Sequence, residues 1–402
     1  MDVSLRKYPY PYQAMLAICS DLDETPNKEI YFETARYLNT SEETLLGKGV
    51  GLEVGNTLYF DMPEHNFSYT NTDDDGREKI QTLIQSGHID CLHSFGDFVN
   101  SREKIEKCWA EIRQHERKIE VWVDHAQAPT NLDNDIMQGK GAIIGESAYH
   151  SDLTVKSGAL PFIWKGRVTS CAAQNAKRSY RAIFNKRHIK ASLKTIALEF
   201  IKGWLARLGN EKYAMHKANK VLRKTTLVDG SEITEFMRCN PAWGGVSCFD
   251  QARGIHHVLT KPVLDALVQQ QGCSVLYSHL GKVHSVEAPF SDDTRQAFEL
   301  LANYQSNSLI LTATTRRLLG YLRAQQEITF HTELKNETLH IIVTTSLAIT
   351  ELQGLTWEVG NAKDVCLFIN GIQLEGLQVN KSDEVGMHSV SIPWLTLSFP
   401  TL

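Results

Sequence analysis

A chain of 402 residues with 42% hydrophobic and 22% charged residues can bury one large core, or two medium ones. Its formal net charge of -5 excludes a bulk attraction for nucleic acid, and no apolar run approaches the ~20 residues that span a bilayer. The N-terminus lacks a basic-then-apolar leader pattern, and the eight cysteines contain no Cys-x-x-Cys pair. The expectation is a cytoplasmic protein with reduced thiols and no cysteine-rich zinc site.

In chain order, short apolar runs predict strands at Met15–Ser20, Ile89–Leu92, Ile119–Val123, Ala142–Ile144, Leu160–Trp164, Thr234–Met237, Ser274–Tyr277 and Leu309–Leu311. Helical spacing predicts helices over Glu78–Gln85, Ser101–His115, Ala191–Leu208, Thr260–Gln270, Thr294–Tyr304 and Thr314–Ala324. Asp73-Asp74-Asp75-Gly76 reads as a turn into a helix rather than an ion loop. Alternating β and α over residues 1–325 argues an α/β fold with a parallel sheet, and seven or eight such units favour a closed or nearly closed barrel. No Gly-x-Gly-x-x-Gly follows the first strand, so no dinucleotide cofactor is expected. From residue 326 to 402 the texture changes to short alternating runs, including Leu339–Val343, Val365–Ile369 and Ser389–Leu397, read as a small C-terminal antiparallel β-sandwich.

Two stretches carry unusual charge or apolarity. Between Asp152 and Glu199 there is no acidic residue but a series of lysines and arginines. This is either a solvated face or a cradle for a phosphate-bearing substrate or an anionic surface. The helix that follows carries Phe200, Ile201, Trp204, Leu205 and Leu208 at helical spacing. Packing against the barrel is the default expectation, with a peripheral membrane contact as the alternative.

Polar residues gather where the predicted strands end. The first strand runs into Asp21-Leu22-Asp23, the second into His93-Ser94-Phe95-Gly96-Asp97, and the third into Asp124-His125. Trp164 ends the fifth, Arg238 and then Trp243 follow the sixth, and Tyr277-Ser278-His279 closes the seventh. In parallel α/β barrels that end houses the active site. Asp21 and Asp23 flank one residue and point to one side of a regular strand, where one carboxylate can hold a metal while the other works as a base. Alternatively they cap a helix. His93 is a ligand type for zinc, or a rim histidine with structural partners.

At these residues the chain resembles the polysaccharide deacetylase superfamily, of the carbohydrate esterase family four type. It is more narrowly similar to a branch found with surface-polysaccharide biosynthesis, lipopolysaccharide included. The resemblance rests on Ser20-Asp21-Leu22-Asp23-Glu24-Thr25, His93-Ser94-Phe95-Gly96-Asp97, Arg238-Cys239-Asn240-Pro241 and Leu276-Tyr277-Ser278-His279. It implies a distorted (β/α)7-type barrel and metal-dependent removal of an N- or O-acyl group from a sugar or sugar-phosphate conjugate. Asp23, His93 and Asp97 would hold a divalent cation, Zn2+ first. Asp21 would be the base, His279 the acid and Arg238 the residue that orients the base. His125, Trp164, Trp243 and Tyr277 would meet the substrate. The chain departs from the family pattern in its Asp-x-Asp spacing and in Asp97, which stands where the family has a second histidine. Another reaction on glycans, or a non-catalytic glycan-binding barrel, stays open at this level.

Overall fold

The computed structural model describes residues 3–21, 24–123, 128–132, 139–362, 364–382 and 388–402. The chain is a mixed α/β protein built on a closed barrel of seven parallel strands surrounded by helices, with separate sheets beyond it. The barrel strands are β1 (Ala14–Ser20), β2 (Asn56–Asp61), β3 (Ile89–Gly96), β4 (Val121–Val123), β5 (Phe162–Thr169), β6 (Glu232–Cys239) and β7 (Cys273–Ser278). They pair in chain order, and β7 returns to β1 over the register Cys273↔Met15 to Ser278↔Ser20. The outer helices are α1 (Lys28–Asn39), α2 (Asp74–Gln85), α3 (Arg102–Gln114), α4 (Ile189–Arg207), α5 (Lys261–Gln269), α6 (Asp292–Ser306) and α7 (Thr315–Glu327).

The barrel closes unevenly. β1 meets β2 only at Ser20↔Asn56, and lower down the short parallel strand Ile310–Thr312 pairs with Ala14–Leu16 instead. β6 meets β7 only at Cys239↔Leu276. A side chain fills that second gap: Gln174 Nε2 donates to the Met237 carbonyl, and its Oε1 accepts from the Val275 amide. Buried backbone groups that the splayed ladder would orphan thus keep partners.

Strand alternation sorts the side chains into two cores. Met15, Ala17 and Cys19 join Cys91, Val121, Val123, Phe162, Trp164, Phe236 and Val275 in one cluster, the barrel interior. Leu16, Ile18, Leu92, Trp122, Ile163 and Leu276 belong to the other, which packs against the helices. The interior cluster continues through Tyr8, Leu318 and Leu322 to Leu339, Ile341, Trp357 and Val390 of the C-terminal sheets. One of these sheets joins Thr329–Lys335, Thr338–Thr344, Val365–Ile369 and Ile372–Gln373, with the two middle strands parallel. The other takes its edge strand, Ser4–Leu5, from the N-terminus. These sheets lie at the end of the barrel where the strands begin. There a cleft of about 640 Å³ between the barrel and the C-terminal tail is bordered by the ion pairs Arg316–Glu120, Arg317–Glu53 and Arg323–Glu351.

Three sequence expectations change. Ala142–Ile144 forms turns rather than a strand, because the Gly141 carbonyl folds back to accept the His150 and Ser151 amides. β2 and α1 were not expected, although Asn27 caps α1 through its side chain in the usual manner. Finally, α4 does not pack its apolar face on the barrel: its inward side is Ser192, Thr195, Glu199, Gly203 and Ala206, while Leu193, Phe200, Ile201 and Trp204 face outward.

Candidate active site

The barrel interior turns polar at the C-terminal ends of its strands. Asp21 continues the inward parity of Cys19, His93 that of Cys91, and Arg238 that of Phe236. Asp21 is anchored by its backbone: its amide donates to the Ser278 carbonyl at 2.8 Å, next to Ser20 Oγ accepting from the Leu280 amide at 3.0 Å. The ends of β1 and β7 are thereby locked together, and Asp21 and His279 share one corner of the rim.

Asp21, His93 and Arg238 are fully buried and His279 nearly so. Arg238 Nη1 donates to both oxygens of Asp21, at 2.9 and 2.8 Å. The guanidinium carbon lies 3.5 Å from the Trp164 ring centroid and 4.3 Å from that of Tyr277, so two aromatic faces hold the plane. Burial works to lower the Arg238 pKa, but Asp21 outweighs it, aided by Cys19 and Tyr277, and the net shift is upward. Arg238 is therefore a permanent cation fixed against a carboxylate.

Two imidazoles face that carboxylate. His93 Nε2 is 3.6 Å and His279 Nε2 3.9 Å from Asp21 Oδ2, ion-pair rather than hydrogen-bond distances. The His93 ring stacks on Tyr59 at 4.2 Å. On its far side His279 Nδ1 lies 3.4 Å from Asp250 Oδ2, and the His279 amide donates to the Asp250 carbonyl. Asp250 thus sets the imidazole's orientation and leaves Nε2 toward Asp21. Sequence reasoning missed Asp250, because it lies in an irregular loop between β6 and α5 with no strand end to mark it.

The other expected residues scatter. Asp97 is exposed beyond β3. Asp23 and His125 lie outside the described residues. Trp164 is buried with its indole face on Arg238, and Trp243 stands half-buried on the rim with its ring stacked on His188 at 3.8 Å. His150 is held by structural partners: Nε2 donates to the Thr130 carbonyl at 2.6 Å, Nδ1 faces Thr154 Oγ1 at 3.0 Å, and the ring stacks on Trp122. Among the described residues no three ligating side chains converge as a metal site.

Within the second motif, Gly96 has a geometric reason. Its φ is +114°, and a Cβ there would lie 1.8 Å from the Asp61 carbonyl oxygen of β2. Only glycine lets the two strand ends approach so closely.

All eight cysteines are free, and no helix among the described residues is long and apolar enough to cross a membrane. Comparisons with protein-family models, with curated proteins and with solved structures gave no match.

Proposed function

We propose that this rim hydrolyses an N- or O-acyl group on a sugar or sugar-phosphate, in a cytoplasmic step of surface-polysaccharide biosynthesis. The observation that carries the reading is the buried Asp21–Arg238 pair flanked by His93 and His279 at the C-terminal ends of barrel strands. The barrel would then be a distorted (β/α)7-type deacetylase barrel. Its substrate class follows the likeness of the motifs around Asp21, His93, Arg238 and His279 to the polysaccharide deacetylases.

In the reaction a water oxygen attacks the acyl carbon while Asp21 takes its proton. Arg238 keeps the carboxylate aimed through its charge-assisted hydrogen bonds. The bond from carbon to the sugar nitrogen or oxygen then breaks, and His279, held by Asp250, gives the leaving atom a proton. Of the expected cation ligands, His93 lies at the site, Asp97 is exposed beyond β3, and Asp23 lies outside the described residues. Zn2+ or another divalent ion enters the proposal as a separate measurement.

The test is acyl release from N- and O-acetylated sugar nucleotides. Wild type should turn over, and Asp21→Asn should lower kcat by about 10²–10⁴-fold. Equal rates in the two proteins overturn the mechanism. Metal analysis of purified protein, with chelation and re-addition of Zn2+, decides the metal arm: activity lost and restored supports a cation at His93, and unchanged activity removes it.

A further inference from the structure

Helix α4 is amphipathic in the reverse sense. The face toward the protein is small or polar, and its one carboxylate, Glu199, is tied to Lys202 at 2.6 Å and to Thr169 Oγ1 at 2.7 Å. Burial presses the Glu199 pKa upward, but Lys202 and the neighbouring His216 and Thr169 outweigh it and hold it low. The inward face also has Gly203 against the Arg178 guanidinium, with no room for a side chain between them. The face toward solvent carries Leu193, Phe200, Ile201, Trp204 and Leu208, with Phe200 61% and Trp204 54% exposed. Ordinary surface helices bury such a stripe. An aligned apolar face of this kind on one helix marks a contact surface rather than scattered exposure.

Its surroundings identify the contact. Lys186, Arg187, Lys190 and Lys194 are exposed at the N-terminal end of the helix, and Arg207 and Lys212 at the other. No acidic residue occurs between Asp152 and Glu199. Beside Phe200 a groove of about 330 Å³ is lined by Lys177, Arg178, Tyr180, Arg207 and Lys217. Positive charge on a molecule of net charge -5 is thus concentrated around this apolar stripe. Apolar side chains in the middle and cations at the margins match the acyl boundary and phosphate layer of an anionic bilayer.

We propose that α4 is a membrane-docking helix, lying in the plane of an anionic lipid surface with lipid phosphates in the Lys177–Arg178–Lys217 groove. The surface adjoins the barrel rim, since Thr195 Oγ1 donates to the Trp243 carbonyl and His188 stacks on the Trp243 ring. The docking stands whether or not the rim performs acyl hydrolysis.

Sedimentation with vesicles tests it, using phosphatidylcholine with and without phosphatidylglycerol. The full chain should sediment with the anionic vesicles, weakly with neutral ones, and less as salt rises. Phe200→Ser/Trp204→Ser should reduce binding at least tenfold, and Lys190→Glu/Lys194→Glu should reduce it on anionic vesicles alone. Unchanged melting temperatures would show that these exposed substitutions leave the fold intact. Absence of wild-type binding, or equal binding by the apolar double variant, overturns the proposal. So does light scattering that shows a dimer dissociated by Phe200→Ser/Trp204→Ser, because a second copy would then cover the face.

Discussion

Arg238 and Asp21 are both fully buried and paired with each other at 2.8 Å. Breaking one side of such a pair strands the other, at a cost of about 3–5 kcal/mol. Arg238→Met should therefore destabilise the protein by that amount in urea unfolding. Adding Asp21→Asn should recover part of the loss, because a neutral amide no longer needs the cation. A double variant no more stable than Arg238→Met would argue against the pairing. Asp250 acts through His279, so Asp250→Asn should lower kcat with little change in KM. A variant with an unaltered kcat would leave Asp250 without a positioning role. Their position at the ends of apolar runs made Asp21, His93 and Arg238 legible from sequence as rim residues; their inward direction was not, because β1 and β3 are buried on both faces. Asp250 was not legible, since a loop residue has no periodicity to assign its direction.

Among the elements, β3 shows how one residue controls a strand end. Gly96 lets β3 pass against β2 at Asp61, and Gly96→Ala meets both an unfavourable φ and the Asp61 backbone. The cost should be on the order of 2 kcal/mol or more, read as a lowered urea midpoint, with His93 displaced and acyl release reduced. A midpoint equal to wild type would mean that the strands separate freely there. Helix α4 was predicted as a helix from spacing, but spacing alone cannot say which side faces the protein. Its orientation follows from Glu199, which finds Lys202 and Thr169 on the inner side, and from Gly203, which gives room to Arg178.

The whole molecule stores an acid sensitivity. Burial depresses the pKa of His88, His150 and His216 to about 4 each, while in the unfolded chain they titrate near 6.5. Between those values the unfolded state binds protons that the folded state refuses, so stability falls as pH drops from 6.5 to 4, by roughly 3 kcal/mol per histidine. Asp90 works the other way. Burial raises its pKa to about 6, so the folded state gains a proton first and recovers on the order of 3 kcal/mol as pH drops from 6 toward 3.8. The net expectation is a melting temperature clearly lower at pH 5 than at pH 7.5, and a flat dependence would contradict it. The C-terminal sheets contribute at the same scale. Trp357, Leu339, Ile341 and Val390 share a core with Met15 and Phe162, so a chain ending at Glu327 would expose the lower barrel core. It should fail to give a monomeric, cooperatively melting protein; a soluble truncated barrel with a sharp melt would refute this.

Sequence by itself determined the α/β alternation, most barrel strands and the placement of Asp21, His93, Arg238 and Tyr277 at strand ends, because a short apolar run marks a buried strand and the polar residues after it mark where it stops. Tertiary structure alone decided that β7 closes on β1, that Gln174 bridges the β6–β7 gap and that Ser4–Leu5 joins a C-terminal sheet. It also decided that Asp250 stands behind His279 and that α4 turns its apolar face outward. Each of these depends on contacts between residues distant in the chain, and local periodicity carries no record of which distant partner a face will meet.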